Sequence, residues 1–149
     1  MENTNLTASA IISFTQELED HSAEFYERLA ELFEEARETF LAFATEDRKN
    51  KKLVTRTYQE TITDALEACF AFEGLRLADY AIETTLTAST SYSEALEMAI
   101  ELEDKACEFY LDVAERSQSL LATIPRAFRR VVKKRSKRKP RLQALRDQA

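Results

Sequence analysis

The chain has 149 residues, 44% of them hydrophobic and 32% charged, with one Gly and two Pro; that length suits one domain with a real core, and the scarcity of helix breakers predicts an all-α protein. No apolar run approaches the roughly 20 residues needed to cross a bilayer, and the N-terminal MENTNLTASAII lacks the basic segment of a signal peptide, so a cytoplasmic protein without membrane contact is expected. The net charge of −6 is unevenly spread: residues 1–115 carry 9 Lys+Arg against 26 Asp+Glu, and residues 116–149 carry 12 against 1.

In chain order, the first helix should start at a cap supplied by Thr7 or Ser9 and run to about Glu35. One apolar stripe, Ile11, Phe14, Leu18, Phe25, Leu29 and Leu32, recurs mostly at three- and four-residue steps. A second stripe, Ile12, Ala23, Tyr26, Ala30 and Phe33, lies beside it and takes in Glu19. A helix this apolar around its circumference packs against more than one neighbour.

The second helix should start near Glu38 and reach Phe72, with Gly74 as its stop and a bend or break near Thr61–Thr63. Its stripe is Phe40, Phe43/Ala44, Asp47, Asn50, Val54, Tyr58 and Ile62, so Asp47 and Asn50 form a polar gap in an apolar seam. Residues 74–93 carry Thr and Ser clusters that argue against a continuous helix. Ser91 and Glu94 then form an S-x-x-E capping box for a third helix running to about Ser117. On its stripe, Leu96, Ala99/Ile100, Glu103, Cys107, Tyr110 and Ala114, the single charge is Glu103. A fourth helix should begin around Pro125 and be kinked or ended by Pro140. Its stripe, Phe128, Val131/Val132, Arg135, Arg138, Leu142 and Leu145, has a cationic gap.

The chain repeats itself. Residues 17–26 read ELEDHSAEFY and residues 101–110 read ELEDKACEFY, identical at seven of ten positions and 84 residues apart. Each copy places one Glu, Glu19 or Glu103, on an apolar stripe, where an unpaired carboxylate is costly and must be neutralised, hydrogen-bonded, ion-paired or metal-bound. Four helices projecting polar groups to one level is how metal sites are built inside bundles.

With the two ELEDxxxEFY segments, the Phe40-x-x-Phe-Ala-x-x-Asp segment and the duplicated helix pair, the chain resembles the rubrerythrin branch of the ferritin-like superfamily over most of residues 8–145. The resemblance implies a ferritin-like four-helix bundle spanning residues 1–149: repeat one over about 8–73, a long connection over about 74–93, and repeat two over about 94–145. In that family each pair contributes a Glu from its first helix and a Glu-x-x-His from its second, and the resulting two-metal site activates peroxide or oxygen. The resemblance maps the first-helix ligands onto Glu19 and Glu103. The second-helix motif falls on Asp47-Arg48-Lys49-Asn50 in one pair and on Arg135-Ser136-Lys137-Arg138 in the other. The carboxylate is thus kept and shortened in the first pair, and both ligands are cations in the second.

Two readings follow. In one, iron or manganese is retained by Glu19, Asp47 and Glu103, and the protein is a metal-dependent oxidoreductase or peroxidase. It would need an external electron donor, because the four-cysteine relay module of classical rubrerythrins has no counterpart here. In the other, Arg135 and Arg138 close a vestigial site by pairing with the glutamates, and the protein is a non-catalytic oligomeric or partner-binding bundle. Tyr26 and Tyr110, seven residues after each Glu, line the site or pack beside it with their hydroxyls hydrogen-bonded, and Asn50 stands next to it.

Other chemistries have thinner support. Cys69 and Cys107 form no CxxC pair and read as small buried residues. His21 is the only His, off the Glu19 stripe and expected to be partly exposed. A single Gly excludes a Gly-rich phosphate loop. Ten of the sixteen residues 126–141 are Lys or Arg, which raises a weaker possibility of salt-dependent nucleic-acid or phosphate binding; docking of this helix on the acidic remainder is the favoured role. Phe70, Phe72 and Leu75 suggest an apolar surface and hence a homo-oligomer.

Overall fold

A computed structural model describes residues 6–61, 71–72, 74–117 and 123–149. Its long elements are helices: α1 (Ala8–Leu32), α2 (Arg37–Thr61), α3 (Tyr92–Ser117), α4 (Thr123–Arg135) and α5 (Arg138–Gln148). Two short strands, β1 (Leu6–Thr7) and β2 (Ala71–Phe72), pair antiparallel with Leu6 opposite Phe72 and Thr7 opposite Ala71.

The helix starts follow their caps. The Thr7 hydroxyl accepts from the Ala10 amide at 3.1 Å. Ser91 and Glu94 form the reciprocal box, Glu94 N–H to Ser91 Oγ at 3.1 Å and Ser91 N–H to Glu94 Oε1 at 2.9 Å, so two orphan donors are satisfied at once. The first helix stops at Leu32, three residues before the expected Glu35; Phe33 is extended and Glu34–Ala36 form a 3-10 turn leading into α2. Glu34 and Glu35 oppose the negative end of α1 and suit the positive start of the helix that follows.

Three further expectations are corrected. Ala71–Phe72 do not continue the second helix but form β2, whose pairing satisfies the backbone leading into α1. Gly74, at φ +81°, follows that strand; residues 62–70, including Ile62, Cys69 and Phe70, lie outside the described residues. Leu75 is 3% exposed and belongs to the core, so it does not contribute to an apolar surface. The fourth helix is two, α4 and α5, separated at Ser136–Lys137. Pro140 is the third residue of α5, inside its first turn. Proline has no N–H for the carbonyl of residue 136 and clashes with it, so the break falls one turn before Pro140 rather than at it.

The connection is non-helical apart from a 3-10 turn at Leu77–Tyr80. Tyr80 is buried, and its hydroxyl donates to Asp112 at 2.6 Å, tying the connection to α3. The first pair packs α1 along α2, the second packs α3 along α4 and α5, and α2 also meets α4. Contacts Glu103–Arg135 and Tyr110–Phe128 run in opposite sequence directions, so α3 and α4 are antiparallel.

The core divides in two. One apolar cluster holds Ile11, Leu18, Val54, Phe109, Tyr110, Phe128 and Val131. The other holds Phe25, Tyr26, Leu29, Phe40, Ala44, Leu96, Leu102 and Leu142. α1, α2 and α3 each pass from one cluster to the other through a polar level, and α4 and α5 meet at it: Glu19 and Ser22 on α1, Asp47 and Asn50 on α2, Glu103 on α3, Arg135 and Arg138 at the α4–α5 junction. Among the described residues no helix is long and apolar enough to cross a membrane.

Candidate functional site

That polar level is the candidate site. Its register follows from helix geometry: Glu19 and Ser22, and Asp47 and Asn50, are three residues apart and share a helix face, while Arg135 ends α4 and Arg138 begins α5, one on each side of the break. Apolar neighbours one turn away on both sides keep those faces inward. All seven of these polar residues, Glu103 included, are at most 1% exposed.

Arg135 lies at the centre. Its Nη2 donates to Glu19 Oε1 at 2.8 Å, its Nε to Glu19 Oε2 at 3.2 Å, and its Nη1 to Glu103 Oε1 at 2.8 Å. The planar fork therefore grips one glutamate with two bonds and reaches the other with its remaining nitrogen. Arg138 Nη1 donates to Glu103 Oε2 at 3.1 Å, while Nε and Nη2 reach Glu46 Oε1 at 3.1 and 2.7 Å. The Arg138 guanidinium also sits 4.9 Å from the ring centre of Phe43 and 5.7 Å from that of Tyr26.

The two tyrosines exchange partners between repeats. Tyr26, from repeat one, donates to Glu103 Oε2 at 2.5 Å, and Tyr110, from repeat two, donates to Glu19 Oε2. Asp47 accepts from Ser22 Oγ on Oδ2 at 2.6 Å. Its Oδ1 lies 2.8 Å from Arg138 Nη1 and 3.0 Å from Arg135 Nη2, close enough for ion pairing but without hydrogen-bond alignment. Asn50 is buried with neither amide atom hydrogen-bonded.

The charges do not balance. Two guanidinium groups face four carboxylates, those of Glu19, Glu46, Asp47 and Glu103. The surplus shows at Asp47, whose carboxyl is pushed up to about 7 by burial and by Glu19 and Glu103 against the pull of both arginines. At Glu103 burial works upward too, but Arg135, Arg138 and the Tyr26 hydroxyl win and hold the carboxyl below its usual range. Burial and the facing glutamates raise Tyr26 and Tyr110 well above the usual phenol range, so both stay protonated donors. Burial lowers Arg135, but Asp47, Glu103 and Glu19 more than compensate, and it stays charged.

The level brings Glu19, Asp47, Glu103, Tyr26, Tyr110, Arg135 and Arg138 together around one centre, with Asn50 one helical turn from Asp47. Two partners are additions to the sequence reading. Ser22 had a usable signal, since it is three residues after Glu19 and four before Tyr26. Glu46 had none: beside Asp47 it reads as surface, and it is still 34% exposed. His21 is exposed and Cys107 half-buried, so neither is a fully buried residue of this level.

Metal binding can be tested against the donor set. Every carboxylate oxygen of Glu19, Asp47 and Glu103 lies against a guanidinium, a phenol or the Ser22 hydroxyl. A divalent ion would have to expel at least one buried guanidinium and then sit beside the other, so the residues present do not fit a two-metal centre. Among the described residues no group of three or more His, Cys, Asp or Glu could hold a metal ion. Comparison with family models, curated proteins and solved structures gives no match.

Proposed function

We propose that this chain is a divergent rubrerythrin-like bundle of the ferritin-like type in which Arg135 and Arg138 stand where the family's second metal-binding motif would be. On this reading it is a non-catalytic, partner-binding helical module. The observation that carries the proposal is the Arg135 guanidinium bonded to both repeat glutamates, Glu19 and Glu103. A guanidinium fills the electrostatic role of a cation at the centre of the bundle, but it offers no open coordination position and carries no redox chemistry. The exchanged Tyr26–Glu103 and Tyr110–Glu19 bonds give the duplicated ELEDxxxEFY segments a structural use without a metal.

A second reading, retention of one iron or manganese ion, has two observations in its favour: the surplus of carboxylate over guanidinium and the unpaired Asn50 amide. Anaerobic loading with Fe(II), followed by desalting and iron analysis, separates the two. The metal-free reading expects no retained iron and no shift of the urea midpoint on adding Fe(II) or Mn(II), because a ligand specific to the native state would raise it. Retention of about one iron per chain, lost in Glu103→Ala, would overturn it and call for peroxidase assays with an added electron donor.

A further inference from the structure

We propose that the groove between α2 and the α4–α5 junction binds a phosphate group. The groove has a volume of about 440 Å³ and is walled by Thr39, Phe43 and Glu46 on one side and by Lys134, Lys137, Arg138 and Arg141 on the other. Those four cations are spaced i, i+3, i+4 and i+7 in the sequence, with Lys134 in α4, Lys137 at the break and Arg138 and Arg141 in α5, and all four line the groove. Like charges at such steps repel, and here they converge on a concave surface rather than spreading into solvent. Arg138 is already paired with Glu46, Asp47 and Glu103, so the cations the groove offers are Lys134, Lys137 and Arg141, with Glu46 as its one lining carboxylate.

Two of the cations are held in place. Arg138 is 1% exposed and fixed by Glu46 and by the Phe43 carbonyl at 3.3 Å. The Nη2 of Arg141 donates to Thr39 Oγ1 at 3.2 Å. Lys134 and Lys137 complete the rim as point charges. A doubly charged, multiply accepting phosphate matches the donors of Lys134, Lys137 and Arg141. Arg126, Arg130 and Lys133 of α4 are exposed and do not line the groove. The phosphate could belong to a small molecule or to a nucleic acid, and the two sources are separable by experiment. The groove and the arginine-closed core share Arg138, but their failures are distinguishable: pyrophosphate binding tests the first and iron retention the second.

The test is calorimetric titration of the full chain with inorganic pyrophosphate, alongside fluorescence anisotropy with a labelled single-stranded oligonucleotide. The expected result is saturable pyrophosphate binding, weakened by about tenfold or more in the Lys137→Glu/Arg141→Glu double variant. The double variant Arg126→Glu/Arg130→Glu should stay within about twofold. If charge reversal unfolds the chain, Lys137→Gln/Arg141→Gln carries the same test with folding checked by circular dichroism. Oligonucleotide binding that is lost with the groove variants and falls with added salt assigns the phosphate to a nucleic acid; its absence beside pyrophosphate binding assigns it to a small molecule. No saturable pyrophosphate binding, or equal loss in the Arg126→Glu/Arg130→Glu variant, would overturn the proposal.

Discussion

At the scale of single residues, the buried level is a plane of charge set into apolar stripes. Glu19, Asp47, Glu103, Arg135 and Arg138 each interrupt a run of hydrophobic positions, and each is buried. What periodicity could not supply was the pairing. That Tyr26 bonds the glutamate of the other repeat, or that Arg138 recruits a half-exposed Glu46, depends on side-chain reach across the bundle. Asp47 leads to a prediction. Its carboxyl rises from 3.8 in the unfolded chain to about 7 in the folded one, so the folded state holds the proton more tightly. The stability this gives is present below about pH 4 and is lost as pH rises to about 7. Glu103 is shifted downward and acts oppositely: its contribution is lost on acidification below its ordinary 4.5. Thermal melts across this range should therefore show the Asp47→Asn variant with a flatter decline between about pH 4 and 7 than the wild type. An unchanged slope in the variant would refute the assignment.

Among the elements, helix starts were easier to read than helix ends. Thr7 and the Ser91/Glu94 box are short local patterns whose hydrogen bonds involve residues three apart, so nothing distant can override them. The end of the first helix and the break before Pro140 reflect several weak effects acting together: acids at the wrong helix end, a missing N–H, a ring clash. The fate of Ala71–Phe72 was illegible in principle, because their partner strand lies more than sixty positions earlier. Since the capping box is exposed and local, Ser91→Ala should cost about 1 kcal/mol in urea unfolding. The loss should be confined to stability, with the pH dependence assigned to Asp47 unchanged; a neutral substitution would show that the start of α3 is held by packing alone.

On the level of the whole molecule, the two apolar clusters and the charged plane between them form a three-layer core along the bundle axis. Such a plane is poor value as a source of stability, because desolvation consumes most of what the ion pairs return. Its worth lies in alignment: helices shifted by one turn would leave guanidinium groups against leucine and phenylalanine. Removing one member and removing all should therefore differ in sign. Arg135→Ala, which leaves three buried carboxylates with one guanidinium among them, should destabilise by about 3–5 kcal/mol. Replacing Glu19, Asp47, Glu103, Arg135 and Arg138 together by Leu or Met, with Tyr26→Phe, Tyr110→Phe and Ser22→Ala so that no buried hydroxyl is orphaned, should be nearly neutral or stabilising by about 1–4 kcal/mol in urea unfolding. The same variant should bind a hydrophobic dye and lose amide dispersion, the marks of a core that has kept its burial and lost its register.

The exchange of tyrosines has a consequence for the order of events in folding. Neither half of the chain can complete its own acid: Glu19 waits for Tyr110 and Arg135, 91 and 116 positions downstream. Contacts so far apart form after the local helical hairpins and slow the search for the native state. During synthesis the first hairpin therefore emerges with a naked carboxylate on its apolar face, and the basic α4–α5 segment, made after it, acts as the latch that closes it.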